Sequence, residues 1–334
     1  MRLTNKAILL LLLSVILLGL TVVSLGIGSS SLSLADVWST LTGQPQANPT
    51  YEFIARNRLN RTLVALFAGS ALSVAGLILQ VFFRNPLAGP GVLGISSGAA
   101  LGVALVVLGG LSLQGVSGYS LTILAGLTGA IGVLLLLLIM SKYIRQMVTL
   151  LVIGLMLSYF SSALLNVLYQ WADNDATRAF VVWGLGSFEG LDPNELWPFI
   201  FIISIGILSS FSLVKPLNAL SLGADYAQTL GINISLVRWQ IILITGVLTA
   251  VVTVFCGPIG FLGMAVPQLS RQLAKSQNHL FIIPLTILIG ASLALLADIF
   301  VRFLDGGVPL NTATSLIGAP IIIWAIFKMN RNSY

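Results

Sequence analysis

Charge is the scarcest property of this 334-residue chain: only 8% of its residues are Asp, Glu, Lys or Arg, whereas 57% are hydrophobic. A soluble domain carries roughly 25% charged residues, so lipid rather than water is the expected solvent. Cysteine is nearly missing, and the single Cys256 excludes an internal disulfide framework. There is one histidine, His279, beside Lys275 in a loop and with no acid next to it. It is expected to be solvated, and a histidine-based catalytic centre is not expected. The net charge of +6 comes from basic residues scattered between apolar runs. No basic patch interleaved with aromatics is present, which argues against nucleic acid as a partner.

Apolar runs are plentiful. They lie near 7–27, 62–83, 93–113, 119–140, 147–169, 195–214, 236–256, 258–270, 280–301 and 309–327. Most reach about 20 residues, enough at ~1.5 Å per residue to cross a ~30 Å hydrocarbon layer. Backbone groups in lipid must bond internally, so the runs are predicted to be helices. The expected fold is an all-α polytopic membrane protein of about ten spans, a single domain over 1–334 with both termini in the cytoplasm.

The sidedness follows from charge. That orientation puts Arg2, Lys6, Arg84, Lys142, Arg145, Lys215, Arg238, Arg271, Lys275, Lys328 and Arg331 inside. It leaves Arg56, Arg58, Arg61, Arg178 and Arg302 outside, and of the acids only Asp225 is internal. This is a positive-inside pattern. Trp171 and Trp197 fall at outer helix ends, and Trp239 and Trp324 at inner ones. The first run also has the outline of a signal peptide, with Ser33-Leu34-Ala35 as a passable cleavage site, but its apolar stretch is long for one. A retained helix suits the later loops better.

From Gly257 to Ser270 the chain has too few residues for a full crossing, about 21 Å of helix. The turn "CGPIGF" at 256–261 is therefore expected to be recessed into the membrane. Pro258 ends the preceding helix, and Gly257 and Gly260 allow the bend. An ordinary turn in a thinner patch of bilayer is the alternative.

The stretch "RNPLAGPGVLGISSGAA" at 84–100 fits two motifs by pattern alone, G-x-G-x-x-G and G-x-S-x-G. A dinucleotide site needs a preceding strand and an acid about 20 residues on. Here a membrane helix precedes, and 105–125 contains no acid. A serine nucleophile at Ser96 or Ser97 needs a base, which is not in view. Packing fits the glycines better. Gly94, Gly98 and Gly102 fall on one helix face, as do Gly118, Thr122, Gly126 and Ala130, and Ala71 with Ala75. Such ridges let membrane helices approach closely. Asn85, Pro86 and Pro90 belong to the turn between two spans.

Ionisable groups are nearly absent from the spans. Asp298 is the exception, and Arg302 one turn later is expected to pair with it. Gln80, Asn166 and Gln170 are uncharged polar residues suited to lining a pathway or bonding between helices. With no nucleotide motif and no midplane carboxylate, energy for pumping must come from a partner. An ion-gradient-driven secondary transporter and a passive channel are the rival classes. The one long cytoplasmic loop, "KPLNALSLGADYAQTLGINISLVRW" at 215–239, offers a contact. A short amphipathic helix over about 219–231, capped by Asn218 and ended by Gly231, would show Leu220, Leu222, Tyr226 and Leu230 on one side. It lacks the basic face of a membrane-surface helix, which favours docking on another protein.

Five ordered blocks carry a resemblance. They are "RLNRTLVALFAGSALSVAGLILQVFFRNPLAGPGVLGISSGAALG" at 58–102, "SLGADYAQTLGI" at 221–232, "GPIGFLGMAVPQLSR" at 257–271, "LLADIFVR" at 295–302 and "PLNTATSLIGAP" at 309–320. The chain resembles the FecCD-type permease subunits of ABC importers for iron–siderophore, haem and cobalamin uptake, over nearly its whole length. The resemblance implies a subunit of a bacterial cytoplasmic (inner) membrane that pairs with a second permease copy around a central path. It also implies two ATP-binding cassette subunits, which would hold the ATP and Mg, and an extracytoplasmic substrate-binding protein. The chain itself would bind no cofactor or metal and would not be an enzyme.

By the same resemblance Leu222, Gly223, Ala227, Leu230 and Gly231 match the segment that couples to the ATPase. Arg58, Arg61 and Arg302 match arginines that receive carboxylates of the binding protein. Met147, Val148 and Thr149 fall in the cytoplasmic gate region; Asn166 is placed on the path by its own polarity, not by the resemblance. Two positions depart from the family pattern. Asn60 stands where a proline is usual, and Gln268 where a histidine is usual, so no metal or haem ligation is assigned there.

Overall fold

The computed structural model describes residues 3–27, 39, 49–111, 117–144, 146–189, 191–304 and 307–331. Arg2, Arg145 and the Ser33–Ala35 site lie outside the described residues. Among those described, the chain is helical and has no strand. Each of the ten apolar runs contains a helix. They are α1 (Leu3–Gly26), α2 (Pro49–Phe82), α3 (Ile95–Val107), α4 (Gly118–Tyr143), α5 (Met147–Trp171), α7 (Pro193–Ser210), α10 (Ile234–Cys256), α11 (Leu262–Ala274), α12 (His279–Phe303) and α13 (Leu310–Arg331). Between them lie α6 (Asn174–Gly184), α8 (Val214–Leu220) and α9 (Ala224–Thr229). Among the described residues, seven helices are long and apolar enough to cross a membrane, and two shorter apolar ones span Ile95–Val107 and Leu310–Ala325.

The polar segments the hydropathy pattern skipped have local causes. α2 starts a dozen residues before its apolar run, and Arg56 pairs with Glu52 one turn back at 2.7 Å on that exposed stretch. α6 begins where Asp173 Oδ1 accepts the Ala176 N–H at 2.6 Å, an N-cap that meets one of the four unpaired donors of a helix start. Its Phe180 is buried against Tyr169 and Trp183, with ring centroids 5.8 and 5.6 Å away.

The bundle is built around α2, which is buried on nearly every side. α12 crosses it where Gly69 meets Gly290, and α11 crosses it where Gly76 meets Gly263. A methyl group added at Gly69 or Gly76 would overlap the facing backbone carbonyl. Backbones this close maximise dispersion contact, which drives helix association where lipid removes the hydrophobic difference. The ridge expected from Gly98 and Gly102 is present: it packs on Gly129, Ala125 and Gly126 of α4. Gly94 instead faces Gly154 of α5, at φ 75°, a conformation only glycine adopts at little cost.

The turn at 256–261 is held inside the fold. Ser187 N donates to Cys256 O at 2.8 Å, Gly260 N to Asn311 Oδ1 at 3.0 Å, and Asn311 N to Leu185 O at 3.0 Å. Gly257 takes φ 75°. α11 has 13 residues, about 20 Å of helix. These bonds satisfy the turn's backbone from within the protein.

Candidate functional site

One end of the bundle gathers the ionic groups. α2 begins there and α12 ends there, so Arg58 and Arg61 come to face Asp298 and Arg302. Asp298 is buried and carries two arginines: Arg61 Nε lies 2.7 Å from Oδ1, and Arg302 Nη2 lies 2.7 Å from Oδ2. The pairing of Asp298 with Arg302 expected from their i,i+4 spacing is present. Arg61 also pairs with Glu189, an exposed residue between α6 and α7. Arg302 Nη1 donates to Ser24 O at 2.6 Å and Ile27 O at 3.0 Å. Arg58 Nη1 donates to Leu25 O and Gly26 O, both at 3.2 Å. Two of the three arginines thus tie down the end of α1, whose last carbonyls would otherwise lack partners. Arg61 reaches the exposed carboxylate of Glu189. All three line a cleft of about 1130 Å³, with Asn60, Ser187, Asp192 and Pro309 among its walls.

The opposite end carries the long loop. It differs from the single helix over 219–231. α8 closes at Leu220, Gly223 turns the chain at φ 132°, and α9 runs from Ala224 to Thr229. Gly231, at φ 79°, ends it as expected. Asn218 is not the cap. It lies inside α8, and its Oδ1 accepts the His279 N–H at 2.9 Å and sits 2.7 Å from His279 Nδ1. His279 is therefore buried against the loop, not solvated. The apolar side divides. Leu220 and Ala227 pack into the core, while Leu222, Tyr226 and Leu230 stand exposed at 67%, 49% and 57%.

The Arg84–Ala100 stretch is built for packing. Asn85 Oδ1 accepts the Leu87 N–H at 2.9 Å, closing a tight turn. Pro86 O accepts Gln268 Nε2 at 3.0 Å, and Pro90 starts a 3-10 turn that meets Gly263. Ser96 Oγ is bonded to Thr253 Oγ1 at 2.9 Å, an interhelical bond rather than a nucleophile's geometry. Gln80 bonds between helices: Nε2 donates to Met264 O at 3.0 Å, and Oε1 accepts from Gln268 and from Arg271. Gln268 is buried in this network.

Met147, Val148 and Thr149 open α5, with Val148 exposed and Thr149 Oγ1 donating to Gln146 Oε1 at 3.3 Å. Asn166 is exposed further along α5. That helix has no Asp, Glu, Lys, Arg or His from Met147 to Trp171, and Tyr159 and Phe160 stand exposed on it at 68% and 62%.

Sequence reading did not find Glu189 as a partner of Arg61, Ser24 as a partner of Arg302, or Arg238. The first two contacts join segments 128 and 278 residues apart; no spacing pattern marks such contacts. Arg238 had one visible signal, an arginine at the third position of the apolar run 236–256.

A helical bundle with a nearly uncharged exposed face, an ionic cluster at one end and an apolar knob at the other defines a multi-pass membrane permease. Residues 15–328 match the FecCD transport family, and the chain belongs to that family. It is 35% identical to the molybdate import system permease protein MolB of Haemophilus influenzae over 315 residues, 91% of each chain. It is 33% identical to the vitamin B12 import system permease protein BtuC of Shigella boydii over 328 residues, 96% of this chain and 95% of that one. A solved ABC transporter of metal-chelate type, in an inward-facing conformation, superposes with a TM-score of 0.83 at 34% identity, covering 96% of this chain and 98% of the other. The protein is the inner-membrane permease subunit of an ABC importer. Its ATPase is a separate partner, and it works with a substrate-binding protein.

Proposed function

We propose that this permease moves a bulky metal chelate, an iron–siderophore, haem or cobalamin, from its binding protein into the cytoplasm by alternating access. In this reading the termini and the 219–231 knob are cytoplasmic, and two copies of the chain enclose the path. Leu222, Tyr226 and Leu230 dock on the ATPase, while Gly223 and Gly231 set the turns and Ala227 anchors the knob to the bundle. Nucleotide-driven closure of the ATPases moves the knobs, and rigid shifts of the helices close one gate and open the other. Arg61 meets a carboxylate of the binding protein in exchange for Glu189, and Arg58 and Arg302 fix the rim around it.

The observation that carries the cargo reading is the uncharged exposed face of α5. A small oxyanion needs cationic or donor-rich lining along its path. A large chelate that must not stick needs a wide and mostly neutral one. Asn166 supplies hydrogen bonding there, and Met147, Val148 and Thr149 form the inner gate.

The test is stimulation of ATP hydrolysis by the assembled importer in liposomes. Its binding protein is loaded in turn with ferric siderophore, haem, cyanocobalamin or molybdate. A chelate should stimulate the rate. Stimulation by molybdate alone would overturn the cargo assignment.

A further inference from the structure

Arg238 lies on α10 just after the knob, and the residue is only 7% exposed. Its Nη1 donates to Ser141 O at 3.0 Å and also to Ile144 O. Both carbonyls belong to the last turn of α4 and its C-cap. The next helix, α5, opens at Met147, three residues beyond Ile144. On its other side Arg238 is continuous with the knob. Ile232 N donates to Ala227 O at 3.1 Å, joining α9 to the lead of α10. Asn233 Oδ1 then accepts the Leu236 N–H at 3.1 Å and caps α10.

A helix end carries partial negative charge and unpaired carbonyls, so a cation there is favourable. Local means exist, however. Lys142 lies in the same last turn, and water solvates helix ends at a membrane surface. A buried arginine from a different helix is an expensive way to cap. Its distinguishing property is mechanical. Charge-assisted bonds to two carbonyls fix the end of one helix to the start of another.

We propose that Arg238 is the positioning residue that transmits motion of the knob to the α4–α5 turn, and so to the gate at 147–149. The proposal rests on the placement of knob and gate given above. When the ATPase moves α9, α10 moves with it, and Arg238 drags the end of α4. Because α5 opens only three residues after Ile144, it is the next element that the end of α4 carries. Without the guanidinium, the knob would still dock and move, but the gate would follow it poorly.

The test uses the permease dimer assembled with its ATPase in nanodiscs. Cys256→Ser removes the native thiol, and Val148→Cys carries a nitroxide at an exposed position. Pulsed electron spin resonance then reads the 148-to-148 distance between copies, with and without Mg-ATP and vanadate. With Arg238 intact, nucleotide should create a second distance population. Arg238→Met should reduce that population roughly tenfold, within the usual range of coupling between sites. Arg238→Lys, which keeps the charge and reaches one carbonyl, should fall between.

Thermal melting of each variant separates transmission from stability, since a purely structural role would make the distance change track the melting temperature. That outcome overturns the proposal, and so does a parent-like distance change in Arg238→Met. If Arg238→Met does not assemble, a parent-like response in Arg238→Lys with lowered melting overturns it equally. If the parent shows no nucleotide-dependent change at 148, the gate placement itself falls, and the link with it.

Discussion

Arg61 Nε lies 2.7 Å from Asp298 Oδ1, joining the start of α2 to the end of α12 across 237 residues of sequence. Asp298 is buried and also pairs with Arg302 at 2.7 Å, so its carboxylate is the counter-ion on which two arginines depend. Removing it leaves Arg302 with no carboxylate and Arg61 with only the exposed Glu189. Asp298→Ala is expected to destabilise the fold by about 3–5 kcal/mol, the cost of breaking a buried pair. Asp298→Asn, which keeps two acceptor lone pairs, should cost less. Thermal melting in detergent ranks the two against the parent, and equal melting of all three would show that the cluster carries no stability.

The α2–α11 crossing leaves no room for a side chain. Gly76→Ala places a methyl group against the Gly263 carbonyl, and forced overpacking of this kind costs about 1–3 kcal/mol. Gly132, where an added Cβ meets nothing within 4 Å, is the control. Gly132→Ala should melt like the parent or slightly higher, because alanine is the better helix former. Similar losses at both sites would contradict the packing described.

Gln80 holds three partners, namely the Met264 carbonyl, Gln268 and Arg271. Gln80→Leu should take the acceptor from the Arg271 guanidinium, while Gln268 Nε2 keeps the Pro86 carbonyl, at about 1–3 kcal/mol for the group that loses its partner. Gln80→Glu preserves the acceptor for Arg271 and should recover part of that loss. The check is again the melting temperature, with a parent-like Gln80→Leu as the contrary result.

Leu222, Tyr226 and Leu230 are exposed. Tyr226→Asp should therefore leave melting unchanged while weakening ATPase association by roughly tenfold or more, as for a central contact of an interface. Co-purification of the two subunits at graded salt and detergent measures it. Full retention of the ATPase would place the docking surface elsewhere.

Much of this architecture is visible in the sequence because lipid imposes it. A membrane helix must be long, apolar and uncharged, so all ten runs stand out, and the i,i+4 spacing of Asp298 and Arg302 marks their pairing. The small-residue ridges at Gly98, Gly102 and Gly126 follow from the same logic. What stayed hidden is tertiary. Glu189 and Ser24 are ordinary polar residues until the fold carries them to Arg61 and Arg302. His279 reads as a solvated loop residue because its burial comes from Asn218, 61 residues away. The break at Gly223 was legible in kind, as a glycine, but nothing nearby announced a positive φ there rather than a continuous helix.

The central claim is that a nearly uncharged helical subunit transports only when a separate ATPase drives it. The most direct measurement compares proteoliposomes holding the permease alone with others holding permease and ATPase, fed with chelate-loaded binding protein. Uptake should require the ATPase and ATP on its side of the membrane, and should persist when ionophores collapse every ion gradient. Accumulation by the permease alone, powered by an imposed ion gradient, would contradict the account.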